Sequence, residues 1–166
     1  MYSYDYREAA RGKTFYHGSS TPTITSFRAS ESDFGLLGTG VYFYAKANVA
    51  KQYYGPHVYK VSVPSSLKLW AENEEFDLQD VKELSKDLGL DPPVSLGSLP
   101  SGVTKPLWWF TDAANYFDLG RREVAADVSK HIQSKGFSGM LTVYPKGGKV
   151  LVLWKGYEKL KPQLVE

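Results

Sequence analysis

The sequence predicts an α+β fold. Strand-like segments gather at the front of the chain, within 13–63, and again at the back, within 140–154. Helix-like segments lie between them, without the repeating strand–helix–strand alternation of a parallel α/β sheet. No self-similarity appears at the periods of repeat proteins.

Each element has a local reason. Lys13 to His17 reads as a short strand, with Phe15 and Tyr16 as its β-formers. Ser20 to Asp33 is rich in Ser and Thr and reads as loop. Gly35 to Gly40 holds three glycines in six residues, which implies that the backbone there passes close to another group. Val41 to Tyr44 is an aromatic strand, and Ala45 to Tyr54 a helix with Ala47, Ala50 and Tyr54 on one face, stopped by Gly55-Pro56. His57 to Val63 alternates Val58, Val61 and Val63 against Lys60 and Ser62, and Pro64 ends it. Leu67 to Trp70 is a further short strand. Asp77 caps a helix to Leu88, Asp91 to Lys105 is a Pro/Gly loop, and Leu107 to Phe117 is helical. Arg121 to Lys135 is a helix with Val124, Ala125, Val128 and Ile132 on one face and Gly136 as its stop. Met140 to Tyr144 and Lys149 to Trp154 form a hairpin across Pro145-Lys146-Gly147-Gly148, and the tail from Gly156 is short and basic.

The 166 residues suit one domain, 1–166, and 42% hydrophobic with 23% charged is ordinary for a globular chain that buries its own core. The absence of cysteine excludes disulfides, thiolate zinc sites and cysteine nucleophiles. A net charge of +2 is too small to imply nucleic acid by itself. Met1 to Arg11 lacks the basic start and apolar run of a secretory signal. No stretch approaches the roughly 18 apolar residues of a membrane helix. These traits lead us to expect a cytoplasmic monomer without metal or membrane partners. The uncommon feature is aromatic: 12 Tyr, 8 Phe and 4 Trp. Most such rings serve as core and interface residues with a polar tip.

Two clusters carry candidate chemistry. His17 ends a strand and precedes Gly18-Ser19, so an imidazole stands beside backbone groups with no side chain in the way. A strand-end His is by itself more often a structural hydrogen-bonder. The second cluster is Gly38-Thr39-Gly40-Val41-Tyr42-Phe43, followed by the helix that ends at Tyr53 and Tyr54. Tyr42 and Tyr53, eleven residues apart, could face each other over a flat ring, and a planar cation such as oxidised nicotinamide suits that clamp. Either tyrosine alone is better read as core. The other histidines are weaker candidates: His131 reads as solvated between lysines, and His57 as a strand start.

The run YHGSS … GTGVYFYAKANVAKQYY … HVYKVSV … GFSGM … KVLVLW resembles the poly(ADP-ribose) polymerase and diphtheria-toxin class of ADP-ribosyltransferases. It looks closest to the small versions found in bacterial toxins and phage polyvalent proteins. The resemblance covers most of 13–63 and 136–161. It implies two packed antiparallel β-sheets forming an NAD cleft with flanking helices. The front NAD-binding half would span 12–64, a family-specific helical insertion 65–135, and the final strand pair 136–161. It further implies a mono-ADP-ribosyltransferase, a toxin, effector or phage counter-defence protein, that uses NAD+ as substrate and no metal.

By that resemblance His17 holds the adenosine ribose, Gly18 grips the nicotinamide amide, Ser19 contacts the ribose region, and Tyr42 and Tyr53 stack on nicotinamide. Ala50 stands where larger relatives carry a helical serine. Arg28 lies in a loop where a cation could meet the pyrophosphate, although a solvated arginine is the plainer reading. Polymer-forming relatives carry a glutamate before the last strand, where this chain has Lys149. That favours single transfer and leaves the acid to come from elsewhere, with Asp112, Asp118 and Glu123 as candidates. Asp112 and Glu123 are also explained as helix-terminus acids.

A protein acceptor is the first reading. A nucleic-acid acceptor would use Lys146, Lys149, Lys155, Lys159 and Lys161 as a basic rim, which otherwise serves as a solvated, edge-protecting face. A catalytically inactive NAD- or ADP-ribose-binding module and an NAD hydrolase are the remaining alternatives.

Overall fold

The structure, a computed structural model, describes residues 13–29, 34–35, 38–64, 66–71, 86, 129–144 and 148–165. The expected helices at 77–88 and 107–117, the loop at 91–105 and the start of the helix at 121–135 fall outside them, apart from residue 86. Within the described residues the chain is α+β, and one sheet dominates.

The continuously apolar runs make its middle. Strands β4 (Val41–Tyr44) and β8 (Gly148–Leu153) pair antiparallel, Tyr42 opposite Val152 and Phe43 opposite Leu151. All four residues of β4 and the last four of β8 are buried. A strand covered on both faces loses the apolar–polar alternation of a half-exposed one. β1 (Thr14–Ser19) lies beside β4 and pairs antiparallel with β5 (His57–Ser62). In β5 the alternation survives, with Val58, Tyr59 and Val61 buried and Ser62 exposed.

On the other side β7 (Gly139–Tyr144) continues the sheet from β8, and β6 (Leu69–Ala71) adds the one parallel pairing among the described strands. A two-residue strand, β9 (Gln163–Leu164), closes the far edge against Tyr59 and Lys60. The order is β6-β7-β8-β4-β1-β5-β9. β2 (Phe34–Gly35) and β3 (Gly38–Thr39) form a separate small ladder.

The strand clusters read at the two ends of the sequence are therefore joined edge to edge by the β4–β8 pairing. Two packed sheets were expected from the resemblance. The described strands instead form this one sheet plus the β2–β3 ladder. Side-chain patterning reports which residues are buried but carries no information about which strand lies alongside.

One sheet face holds the main apolar cluster of Phe15, Phe43, Tyr59, Val61, Leu151 and Leu153, reinforced from loops by Phe27, Leu67 and Leu160. Against β1 packs helix α1 (Ala47–Tyr54), which buries Val49 and Ala50. The helix starts two residues later than the sequence implied, after an extended Lys46, and the Gly55 N–H closes it on the Lys51 carbonyl. Residues 129–134 are helical, with Ile132 fully buried. His131 there is half-buried, not solvated as its flanking lysines suggested, and its carbonyl accepts the Ser134 hydroxyl at 2.5 Å. No helix among the described residues is long and apolar enough to cross a membrane.

Two motif glycines are fixed by these packings. A side chain on Gly18 would run into the Ala50 carbonyl of α1. One on Gly40 would stand 2.6 Å from the Leu153 carbonyl of β8. The close approach that the glycines signalled is thus one of backbone to backbone.

Candidate functional site

The end of β1 that carries Ser19 opens into a pocket of about 180 Å³, lined by His17, Gly18, Ser19, Ser20, Arg28, Gly40, Val41, Tyr42 and Tyr54. The two front motifs, 16–19 and 40–43, meet here because β1 and β4 are sheet neighbours. The end of α1 supplies Tyr54, and the loop after β1 supplies Arg28.

His17 is held on several sides. Its Nδ1 lies 2.8 Å from the Tyr42 carbonyl oxygen. A carbonyl only accepts, so Nδ1 carries the proton, and in the neutral ring Nε2 is the acceptor nitrogen. Phe27 meets the imidazole edge-on with centroids 5.2 Å apart, Phe43 is tilted at 5.6 Å, and the Tyr54 ring lies nearly parallel to it at 6.2 Å. Phe27 and Phe43 form their own edge contact at 5.1 Å. The loop that carries Phe27 is pinned by Tyr59, whose hydroxyl donates to the Thr21 carbonyl at 2.7 Å and accepts the Ile24 N–H at 3.1 Å. A core tyrosine and a buried phenylalanine thus anchor a segment read as plain loop, and with it Arg28.

Tyr42 is buried, with its hydroxyl donating to the Gly38 carbonyl at 2.5 Å. That bond ties the glycine-rich approach to the strand it leads into. The Ser19 hydroxyl accepts the Thr21 N–H at 3.0 Å, a turn-forming bond on the pocket rim. Arg28 is exposed at the rim.

The structure brings together His17, Gly18, Ser19, Arg28 and Tyr42 from the expected set. Two other members are placed elsewhere. Ala50 is fully buried, with its carbonyl against Gly18, so it acts as the packing face of α1. Tyr53 is half exposed and stacks on Tyr44, centroids 5.6 Å apart with 18° between planes, and does not line the pocket. Tyr54, the next residue, lines the pocket instead. The signal was present in the sequence: Tyr54 follows Ala50 by four residues and shares its helix face, whereas Tyr53 is turned about 100° away.

Asp112, Asp118 and Glu123 lie outside the described residues. Lys149 is exposed at the start of β8, where its carbonyl accepts the Ala45 N–H at 3.1 Å, and it does not reach the pocket. No carboxylate lines the pocket among the described residues. Nor do they contain a group of three His, Cys, Asp or Glu able to hold a metal ion.

The pocket is smaller than the roughly 300–1,000 Å³ of sites that engulf drug-sized ligands. A pocket of this size admits only part of a larger ligand, and Arg28 stands at its rim. Its walls offer an aromatic face, an imidazole, side-chain-free backbone at Gly18 and Gly40, and a guanidinium.

No family model matches the chain, and no curated protein matches it. Among solved structures, the crystal structure of an anti-CRISPR protein is similar to it, with a TM-score of 0.48 and 12% identity over 94% of this chain and 97% of that chain.

Proposed function

We propose that the chain is a mono-ADP-ribosyltransferase that moves ADP-ribose from NAD+ to a macromolecular acceptor, a protein in the first instance, and releases nicotinamide. The observation that carries this reading is the convergence of the Tyr16-His17-Gly18-Ser19 and Gly40-Val41-Tyr42-Phe43 segments on one pocket capped by Tyr54. The late strand β8, which carries the other part of the resemblance, lies directly beside β4. The finer fold reading, an ADP-ribosyltransferase-like domain with an NAD cleft, belongs to the same proposal.

In this reading the Tyr54 ring lies along the nicotinamide and the His17 Nε2 accepts from a ribose hydroxyl. Gly18 backbone groups bond the carboxamide, and Arg28 faces the pyrophosphate. Tyr42 acts mainly as a positioning residue, since its carbonyl orients His17 and its hydroxyl holds Gly38. The bond from the anomeric carbon to the nicotinamide nitrogen breaks, and its electron pair neutralises the departing ring. The sugar passes through an oxocarbenium-like state of the kind met in glycoside cleavage. The acceptor's nucleophile then bonds to the anomeric carbon and gives up its proton. The carboxylate that would stabilise the cation or take that proton is sought at Asp112 or Glu123.

The lack of a carboxylate among the described lining residues favours one second reading, an NAD- or ADP-ribose-binding module without catalysis. Calorimetry with NAD+, paired with an assay for free nicotinamide, separates the two. Binding with nicotinamide release in the presence of lysate supports the transferase. Binding without release supports the module, and no binding overturns both.

A further inference from the structure

At the other end of β1 and β5 the surface has a second cavity, of about 470 Å³, lined by Thr14, Lys60, Val61, Ser62, Pro64, Lys159, Leu160, Lys161 and Gln163. Sheet geometry explains what points there. Thr14 stands opposite Ser62 across β1–β5, and Lys60 opposite Gln163 across β5–β9. Partners in register project from the same face. Their chain neighbours Phe15 and Val61 belong to the apolar cluster, and Val61 also borders the cavity. Residues Tyr157–Lys159 make one 3-10 turn, after which Leu160 is extended and only 4% exposed. With Leu160 seated in the core, the lysines on either side of it emerge at the surface, both exposed.

Three ammonium groups therefore border one cavity, together with two hydroxyls and an amide. No carboxylate lines it among the described residues; the neighbouring Glu158 is exposed and outside the lining. None of Lys60, Lys159 and Lys161 has a salt bridge among the described residues. Like charges gathered with no carboxylate in the described lining repel one another, and a bound polyanion relieves that repulsion. No aromatic ring lines the cavity among the described residues, so none of them offers a face on which a base could stack. Lysine is a point-charge phosphate binder, tolerant of geometry.

We infer that this cavity is a binding site for closely spaced phosphate groups, of a condensed phosphate chain or of a polynucleotide backbone, contacted through charge and hydroxyls and indifferent to base identity. It is separate from the His17 pocket. Thr14 and Ser19 are the two ends of β1, five residues or roughly 16 Å apart at about 3.3 Å per residue. The inference stands whether or not the chain uses NAD+.

The test titrates the full chain with sodium tripolyphosphate and, separately, with a fluorescent single-stranded oligonucleotide at several salt concentrations. Wild type is compared with K60Q/K159Q/K161Q and with a control, K149Q/K155Q, whose lysines are exposed but outside the cavity. The site predicts tripolyphosphate binding that weakens at least tenfold in the triple variant and less than twofold in the control. If the source is a polynucleotide, the oligonucleotide also binds, with a log–log salt slope near −2 for three phosphate contacts at about −0.7 each, and the slope collapses in the triple variant. Tripolyphosphate binding alone assigns the site to condensed phosphate. Binding of neither probe overturns the inference, as does equal loss in triple variant and control, which would mark diffuse surface charge.

Discussion

β1 and β5 run through two regions of opposite chemistry. At the Ser19 end, His17, Phe27, Phe43 and Tyr54 interlock ring against ring around a small pocket. At the Thr14 end, three lysines border an open cavity with no ring among its described lining residues. The first region is cross-braced by the core. Phe43 is fully buried, Tyr59 pins the 21–24 segment, and α1 sits on Gly18. The second is made of surface side chains, with Lys159 and Lys161 exposed and Lys60 half-buried. Substitutions at the aromatic end should therefore couple stability with binding, and those at the basic end should change binding alone.

The most severe way to break the aromatic end is Phe43→Ala. Removal of this ring from a site with no exposure should cost about 3–5 kcal/mol, read as a lower urea midpoint at unchanged slope. A midpoint within error of wild type would mean that Phe43 does not brace the region. Next comes Gly18→Ala. Its added methyl meets the Ala50 carbonyl, so α1 must shift, at about 1–3 kcal/mol. NAD+ binding should fall with it because Tyr54 moves; a stable variant with full binding would contradict this packing account.

How much was legible follows the same division. β4 and β8 could be read because continuous apolar runs mark strands buried on both faces, and β5 because it alternates. β9 lay hidden in the basic tail: two exposed residues carry no burial pattern, and only the remote pairing to Tyr59 and Lys60 makes them a strand. The parallel partnership of β6 and β7 was invisible for a similar reason, since residues 69 and 139 are brought together only by the folded chain. Within the site, the motifs located His17, Gly18 and Tyr42. They did not separate Tyr53 from Tyr54; only the four-residue spacing of Tyr54 from Ala50, which α1 turns toward Gly18, does so. Nor could they show that the Tyr42 carbonyl, rather than its ring alone, serves the site by orienting His17.

A paired substitution sharpens that last distinction. Tyr54→Ala should weaken NAD+ binding by about 0.5–1.5 kcal/mol, roughly two- to twelvefold, through loss of ring stacking. Tyr53→Ala should leave NAD+ affinity within twofold and cost only its contact with Tyr44. The reverse ranking by calorimetry would restore Tyr53 to the site. The smallest effect is expected at the basic end. K60Q/K159Q/K161Q should change unfolding free energy by less than about 0.5 kcal/mol, because Lys159 and Lys161 are exposed, Lys60 is half-buried and no salt bridge among the described residues is lost. A larger loss would show that the lysines support the fold.

The central claim, that the aromatic end is an NAD+ site used for transfer, is tested most directly by mass spectrometry of a lysate incubated with NAD+ and wild-type protein, beside His17→Ala and Tyr54→Ala. Both variants must first be shown to be folded. The account predicts a mass gain of one ADP-ribose unit on a macromolecule with wild type, strongly reduced in both variants. No ADP-ribose gain with wild type, or an equal gain with folded His17→Ala, would contradict it.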